Sequence, residues 1–385
     1  MLVSVLSACG SAPQDSWRLA PAPDSPVAGL PKVNGLALAD FNGDGLLDIA
    51  AVNGDPGQLL ILINQGEHFA PFQGEGRFVE FPGGIIPVGS SASGIAIGDL
   101  DGNESSDIVI SHHDSNEVAV ILSNGDGTFE PVRQAAVAER IEPAPHAHNL
   151  ALADLNNDGD LDIVVAQADA NAIIAALGDG AGGFRPLMTA FPAGRHPYTV
   201  VVADFNNDGR NDVAAPNADS NDLTIGLGDG PGGFTAPAGA RTPLPARTLA
   251  LAAGDVNADG VIDLVGSADA VQNELSLMLG DGTGGFARSA HAFTAPSRVY
   301  GHMIADINQD GMMDVIAPSI DRSSIIIWLA DEPVAMRFRR VEFETPGTDS
   351  QVLAIGDING DGILDVVTAG WGQATITVML GQARQ

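Results

Sequence analysis

The chain has 385 residues, 45% of them apolar, with 47 glycines, 24 prolines and only 5% aromatics. This is enough apolar material for a large core, and the glycine and proline content fits an exposed β protein better than a helical enzyme. Forty-nine acidic residues against 17 basic ones give a formal charge of −32, which excludes nucleic acid and anionic membrane surfaces as partners.

Residues 1–9 form a short apolar run ending in Leu6, Ser7, Ala8 and Cys9. The run resembles a bacterial lipobox, whose cysteine becomes the lipidated first residue, although no positive segment precedes it. It reads as a truncated lipoprotein-like signal with Cys9 as the lipidation site; a small buried cysteine is the alternative. Cys9 is the only cysteine, so no internal disulfide can form. No other stretch has the roughly 18 apolar residues of a membrane span. Residues 10–31, rich in Pro, Ala and Ser, read as a tether.

From residue 32 one nonapeptide recurs seven times: DFNGDGLLD from Asp40, DLDGNESSD from Asp99, DLNNDGDLD from Asp154, DFNNDGRND from Asp204, DVNADGVID from Asp255, DINQDGMMD from Asp306 and DINGDGILD from Asp357. Each copy lies between short apolar runs bounded by Gly, Asn and Asp, as in "NLALAD" before the third copy and "LDIVVAQ" after it. Such runs are strand signals, and seven units of four short strands predict a seven-bladed β-propeller over 32–385, all-β in class. A phenylalanine marks the fourth strand of six units: Phe69, Phe129, Phe184, Phe234, Phe286 and Phe338. The seventh would need its fourth strand from elsewhere. Trp17, in "DSWRLAP", makes residues of about 15–21 a candidate to complete the last blade and remove two open sheet edges; a plain leader is the alternative.

The nonapeptide is a hard-cation loop by its chemistry. Oxygen ligands stand at positions 1, 3, 5 and 9, and glycine at position 6 permits a sharp turn, as Ca²⁺ requires. An EF-hand would need a glutamate at position 12 and helical flanks, which are missing. The motif, followed by "LGDGAGGF", "LGDGPGGF" or "LGDGTGGF", resembles the FG-GAP and VCBS-type repeats, whose propellers include the head of integrin α subunits. That resemblance implies Ca²⁺ in the loop between the first and second strands of each blade. The ligands it implies are Asp40, Asn42, Asp44 and Asp48 in the first loop and Asp99, Asp101, Asn103 and Asp107 in the second. In the third to fifth they are Asp154, Asn156, Asp158 and Asp162; Asp204, Asn206, Asp208 and Asp212; and Asp255, Asn257, Asp259 and Asp263. In the last two they are Asp306, Asn308, Asp310 and Asp314, then Asp357, Asn359, Asp361 and Asp365. The second loop is the weakest, with Asn103 at position 5 and Glu104 in place of glycine.

With the loops at one end of the propeller, the residues leading into each inner strand ring the channel at the other. Eight before each first aspartate stand Lys32, Ser91, His146, His196, Arg247, Arg298 and Asp349, and six before stand Asn34, Ser93, His148, Tyr198, Leu249, Tyr300 and Gln351. The chain's one lysine and both its tyrosines fall in these registers, and His302 lies four before Asp306. Lys32, His146, His148, His196, Tyr198, Arg247, Arg298, Tyr300 and His302 are therefore the candidate ligand-binding residues. They suit an acidic, polyhydroxylated glycan or a protein ligand, with arginines pairing carboxylates and tyrosines stacking on sugar faces. The sequence thus supports a calcium-stabilised, monomeric binding or adhesion propeller, secreted or in the bacterial cell envelope. Two readings compete with it. One is a polysaccharide lyase in which His146, His148, His196 and His302 hold a transition metal or act as bases and a tyrosine is the acid; the other is a scaffold of a surface assembly.

Overall fold

Runs such as Asp162–Gln167 and Ala172–Gly178 are apolar at almost every position, so they are stable only as strands covered on both faces. The computed structural model describes residues 17–23, 25–65, 69–71, 84–138, 146–237, 241–245, 247–268, 273–347, 349–372 and 374–383. In it these runs are the middle strands of seven four-stranded antiparallel blades arranged in a ring. The third blade, for example, is Ala147–Ala153, Asp162–Gln167, Ala172–Gly178 and Phe184–Pro186, paired in chain order. Each inner strand touches the inner strands of the blades before and after it, and Val33–Ala39 of the first blade touches Ser350–Gly356 of the last. The only helical turn among the described residues is Pro333–Ala335. Cys9 and the lipobox segment lie outside the described residues.

The last blade takes its outer strand from the N-terminal segment. Trp17–Pro21 pairs antiparallel with Thr375–Ala383, in register from Trp17 opposite Ala383 to Pro21 opposite Met379. Leu19 is buried with Ile307, Ile327 and Met379, and Trp17 meets the ring of Phe343 edge-on at 5.6 Å. Val27–Ala28, in the stretch with tether-like composition, also pairs with this third strand. Of the marker phenylalanines, Phe69, Phe184, Phe234 and Phe286 open the outer strands and Phe338 lies inside one. Phe129 makes only an isolated bridge to Ser123, and the outer strand of its blade is Arg133–Ala136 instead.

Hydrophobic side chains fill the gaps between neighbouring blades. Val52 and Ile61 of the first blade pack with Ile108 and Ile110 of the second, and Val109 and Val120 of the second with Ile163 and Val165 of the third. The core is therefore a ring of similar interfaces rather than a single centre, and the inner strands face the channel half-exposed.

Candidate functional site

Two sets of side chains stand at opposite ends of the inner strands. A seven-residue strand such as Ala147–Ala153 rises ~3.3 Å per residue, which separates them by about 23 Å.

At one end are the acidic loops, and the seven share one geometry. The first aspartate accepts backbone N–H groups across the loop: Asp154 Oδ1 from Asp158 at 3.2 Å and Oδ2 from Gly159 at 3.0 Å. The backbone is left-handed at position 6, where Gly159 has φ 95° and the nonglycine Glu104 is forced to 65°. It is left-handed again at position 4, where Ala258 and Gln309 both have φ 58°. The ninth aspartate is different, because it opens the second strand and is fully buried in every blade. Its Oδ2 accepts the N–H of position 2 and its Oδ1 an N–H at or near the end of the third strand, as Asp162 does from Leu155 and Gly178, both at 2.8 Å. All seven repeat this clamp. Burial, opposed by these hydrogen bonds and aided by the other loop carboxylates, raises Asp48, Asp107, Asp263 and Asp365 to a pKa of about 6 and Asp314 to about 7. In the second loop, carboxylate oxygens of Asp99, Asp101 and Asp107 come within 4.8 Å of one another, while Asn103 turns its amide to the Ser123 carbonyl at 2.8 Å.

At the other end a cavity of ≈ 770 Å³ is lined by residues of all seven blades. Five of the residues eight before the first aspartate, Lys32, Ser91, His196, Arg247 and Asp349, have left-handed backbones with φ between 52° and 63°. The residues six before are set by a different device. In five inner strands the ladder slips here, skipping Asn34, Ser93, His148 (with Asn149), Leu249 and Gln351, and each of these lines the cavity. A bulge releases a residue from the pleat and re-aims its side chain. The two registers thus converge through a left-handed residue and a bulge, and not through the simple alternation of an extended strand. Tyr198 and Tyr300, which precede the short inner strands Val201–Ala203 and Met303–Ala305, line the cavity as well.

Of the candidate binding residues, Lys32, His148, Tyr198, Arg298 and Tyr300 line the cavity. His146 and His196 stand beside it, with His146 4.5 Å from the His148 ring and 5.2 Å from that of His196. Arg247 is not among the lining residues; it faces Asp219 at 3.7 Å. His302 requires correction. It is buried, with Nε2 on the Val265 carbonyl at 2.8 Å, and it fastens the sixth inner strand to the fifth blade rather than facing a ligand. Burial lowers its pKa, as expected for a neutral ring in a structural role.

The cations at the mouth have carboxylate neighbours. Carbonyls of Ser91, His146, His196 and Arg298 accept N–H bonds from His113, Ala168, Ala218 and Ile320, and the residue after each of these donors is an aspartate. Asp114 thereby reaches Ser91 Oγ at 2.8 Å, Asp169 reaches His146 at 3.4 Å, and Asp321 takes Arg298 Nε at 2.9 Å. Arg298 and Arg247 thus already face carboxylates, so the mouth is not a cationic funnel.

Residues 40–110, 104–165 and 154–215 match the FG-GAP-like repeat family. The chain carries FG-GAP-like repeats. No curated protein matches it. Among determined structures, BBS1N in complex with ARL6DN, from a lead-soaked crystal, aligns at TM-score 0.63 and 11% identity over 93% of this chain and 94% of that one. An Agrocybe aegerita lectin that recognises non-reducing terminal N-acetylglucosamine aligns at TM-score 0.58 and 19% identity over 92% and 86%. Both likenesses show the propeller fold.

The position six after the buried ninth aspartate also reaches the mouth, and it supplies two residues that the sequence analysis did not select. His113 packs against His146 and His148 at ring distances of 3.9 and 4.9 Å. Trp371, 55% exposed, lines the cavity from the last blade. One position further, Asp55, Asp114, Asp169, Asp219 and Asp321 recur. That recurrence, and not the identity of any one residue, is the sequence signal that exposes this second ring.

Proposed function

We propose that the protein is a calcium-stabilised binding propeller, carried at the bacterial cell envelope through lipid on Cys9 or secreted, whose channel mouth takes a polyhydroxylated glycan. The observation that carries the glycan reading is the aromatic set at the mouth. The exposed Trp371 shares one ≈ 770 Å³ cavity with Tyr198 and Tyr300, among the hydrogen-bonding side chains of Asn34, Ser91, Ser93 and Gln351. Broad apolar ring faces beside directional polar groups suit sugar rings, which are apolar on their faces and polar at their edges. That a propeller of this architecture recognises N-acetylglucosamine supports the reading. Because Arg298 and Arg247 already face Asp321 and Asp219, a uronate would have to displace one carboxylate to gain another. A neutral or sparsely charged glycan fits better.

Calcium fits the seven loops by donor chemistry. The side chains at positions 1, 3 and 5 offer only hard oxygen, and the buried ninth carboxylate keeps one lone pair on each oxygen beyond its two clamp bonds. Asp154, Asn156, Asp158 and Asp162 in the third loop, and their counterparts in the others, would hold the ion, which supplies the positive charge that the clustered carboxylates need. The ion's role is to stabilise blades whose mouths lie at the far end.

A glycan array read with the wild type and with Trp371→Ala, each with and without Ca²⁺, tests the proposal. Binding of a defined glycan class that weakens about 30-fold in the variant is the expected result. No glycan bound, or binding indifferent to Trp371, would overturn it and favour a protein ligand or a scaffold role. Release of unsaturated uronate would replace binding by lyase chemistry.

A further inference from the structure

The geometry points to a transition-metal site, separate from the acidic loops, formed by His113, His146 and His148 at the channel mouth. These three rings come from two blades. His146 precedes and His148 lies near the start of the third inner strand, Ala147–Ala153, and His113 directly follows the second strand of the second blade, Asp107–His112. The Ala147 N–H donates to the His113 carbonyl at 3.1 Å, which locks the two segments side by side. One nitrogen from each ring lies within 4.8 Å of the others, a spacing that a single ion can bridge.

The surroundings of each ring favour ligation. His113 Nδ1 is 2.8 Å from Asp114 and His146 Nδ1 is 3.4 Å from Asp169, so carboxylates hold these nitrogens and Nε2 is the donor each ring has left. This is the outer-shell arrangement that orients metal-binding imidazoles and raises their basicity. The third ring, His148, is clamped by stacking on Tyr198 at 3.6 Å and 15°. Its Nε2 is buried and has no hydrogen-bond partner among the described residues. A buried imidazole nitrogen without a partner is costly unless something completes it. His113 and His148 both line the cavity, so a fourth coordination position would open into it. Three neutral imidazoles with one open position suit Zn²⁺ or its neighbours Co²⁺ and Ni²⁺, and they are poor ligands for Ca²⁺.

The test uses the full chain, stripped with chelator and then held in excess Ca²⁺ so that the oxygen loops are filled and cannot take the probe. Titration with Co²⁺ is followed by its visible d–d absorption, and Zn²⁺ is then added to displace it. The expected result is one Co²⁺ per chain with the intense bands of a four-coordinate site, removed by stoichiometric Zn²⁺. His113→Ala or His146→Ala should abolish the bands. Asp169→Asn, which touches only the outer shell, should weaken affinity about tenfold. His291→Ala, remote from the cluster, should change nothing, and far-ultraviolet circular dichroism checks that the variants fold. Absence of cobalt bands from the wild type, or bands that survive in the double variant His113→Ala, His146→Ala, would overturn the site.

Discussion

The metal-free protein should become more stable as the pH falls from 7.5 to 5.0. The buried ninth aspartates cause this, because Asp48, Asp107, Asp263 and Asp365 are raised from 3.8 to about 6 and Asp314 to about 7. A carboxyl whose folded pKa lies above its unfolded value binds more protons in the folded state across the interval, so stability falls as pH rises through about 4 to 7. Each pKa unit is worth ~1.4 kcal/mol, and if relaxation of loops open to water on one side leaves about half, each clamp destabilises the metal-free fold by about 1.5 kcal/mol at neutral pH. Five such clamps amount to on the order of 8 kcal/mol, comparable with the whole stability of a typical domain. Calcium should reverse the sign, since an ion that binds only the folded state keeps the carboxylates charged and adds stability at pH 7.5. The assay is thermal melting of chelator-stripped protein at pH 5.0 and 7.5, with and without 1 mM Ca²⁺ (about the level that weak extracellular sites need). Metal-free protein should melt higher at pH 5.0, and calcium should raise the pH 7.5 melting temperature more than magnesium does. A metal-free melting temperature that is flat or rising from pH 5.0 to 7.5 would refute the clamp argument, and indifference to calcium would refute its structural role.

The clamp can also be tested one blade at a time: Asp212→Asn presents an amide to two backbone donors, Phe205 and Gly228, and should lower stability by about 2 kcal/mol in urea titrations. Ala258→Gly should raise stability by about 1 kcal/mol, because it relieves a left-handed residue at φ 58°. Leu19→Ala should destabilise by about 3 kcal/mol if Trp17–Pro21 is the closing strand in solution, since Leu19 is buried between the last two blades. Deleting residues 1–23 should in addition expose the edge of Thr375–Ala383 and produce concentration-dependent association in light scattering, whereas deleting residues 1–16 should not.

The architecture was legible because the same physical unit recurs seven times, so a turn signal that is weak in one copy becomes a register. The double use of the ninth aspartate was not legible. In sequence Asp162 looks like any other loop oxygen, and its partner Gly178 lies 16 residues away at the far end of the third strand. The registers of the mouth were legible too, but for a different reason from the one that operates. Strand alternation would have placed His302 beside His148, yet His148 is thrown into the mouth by a bulge and His302, just before the sixth inner strand, is turned to the Val265 carbonyl. His113 and Trp371 come from a loop position whose residues share a place in the ring and no chemistry, so composition alone could not pick them out.

The pairing of Trp17–Pro21 with Thr375–Ala383 has a consequence for synthesis. Arg18 meets Gln382 across 364 residues. At translation rates of about 5–20 residues per second, the first strand waits on the order of 20–70 s for its partner. During that interval earlier blades can stack as they emerge, each burying its face against the one before, while both ends of the growing row remain raw. The ring shuts only once Thr375–Ala383 has emerged, so a chain cut short before that strand lacks its clasp and keeps both edges exposed.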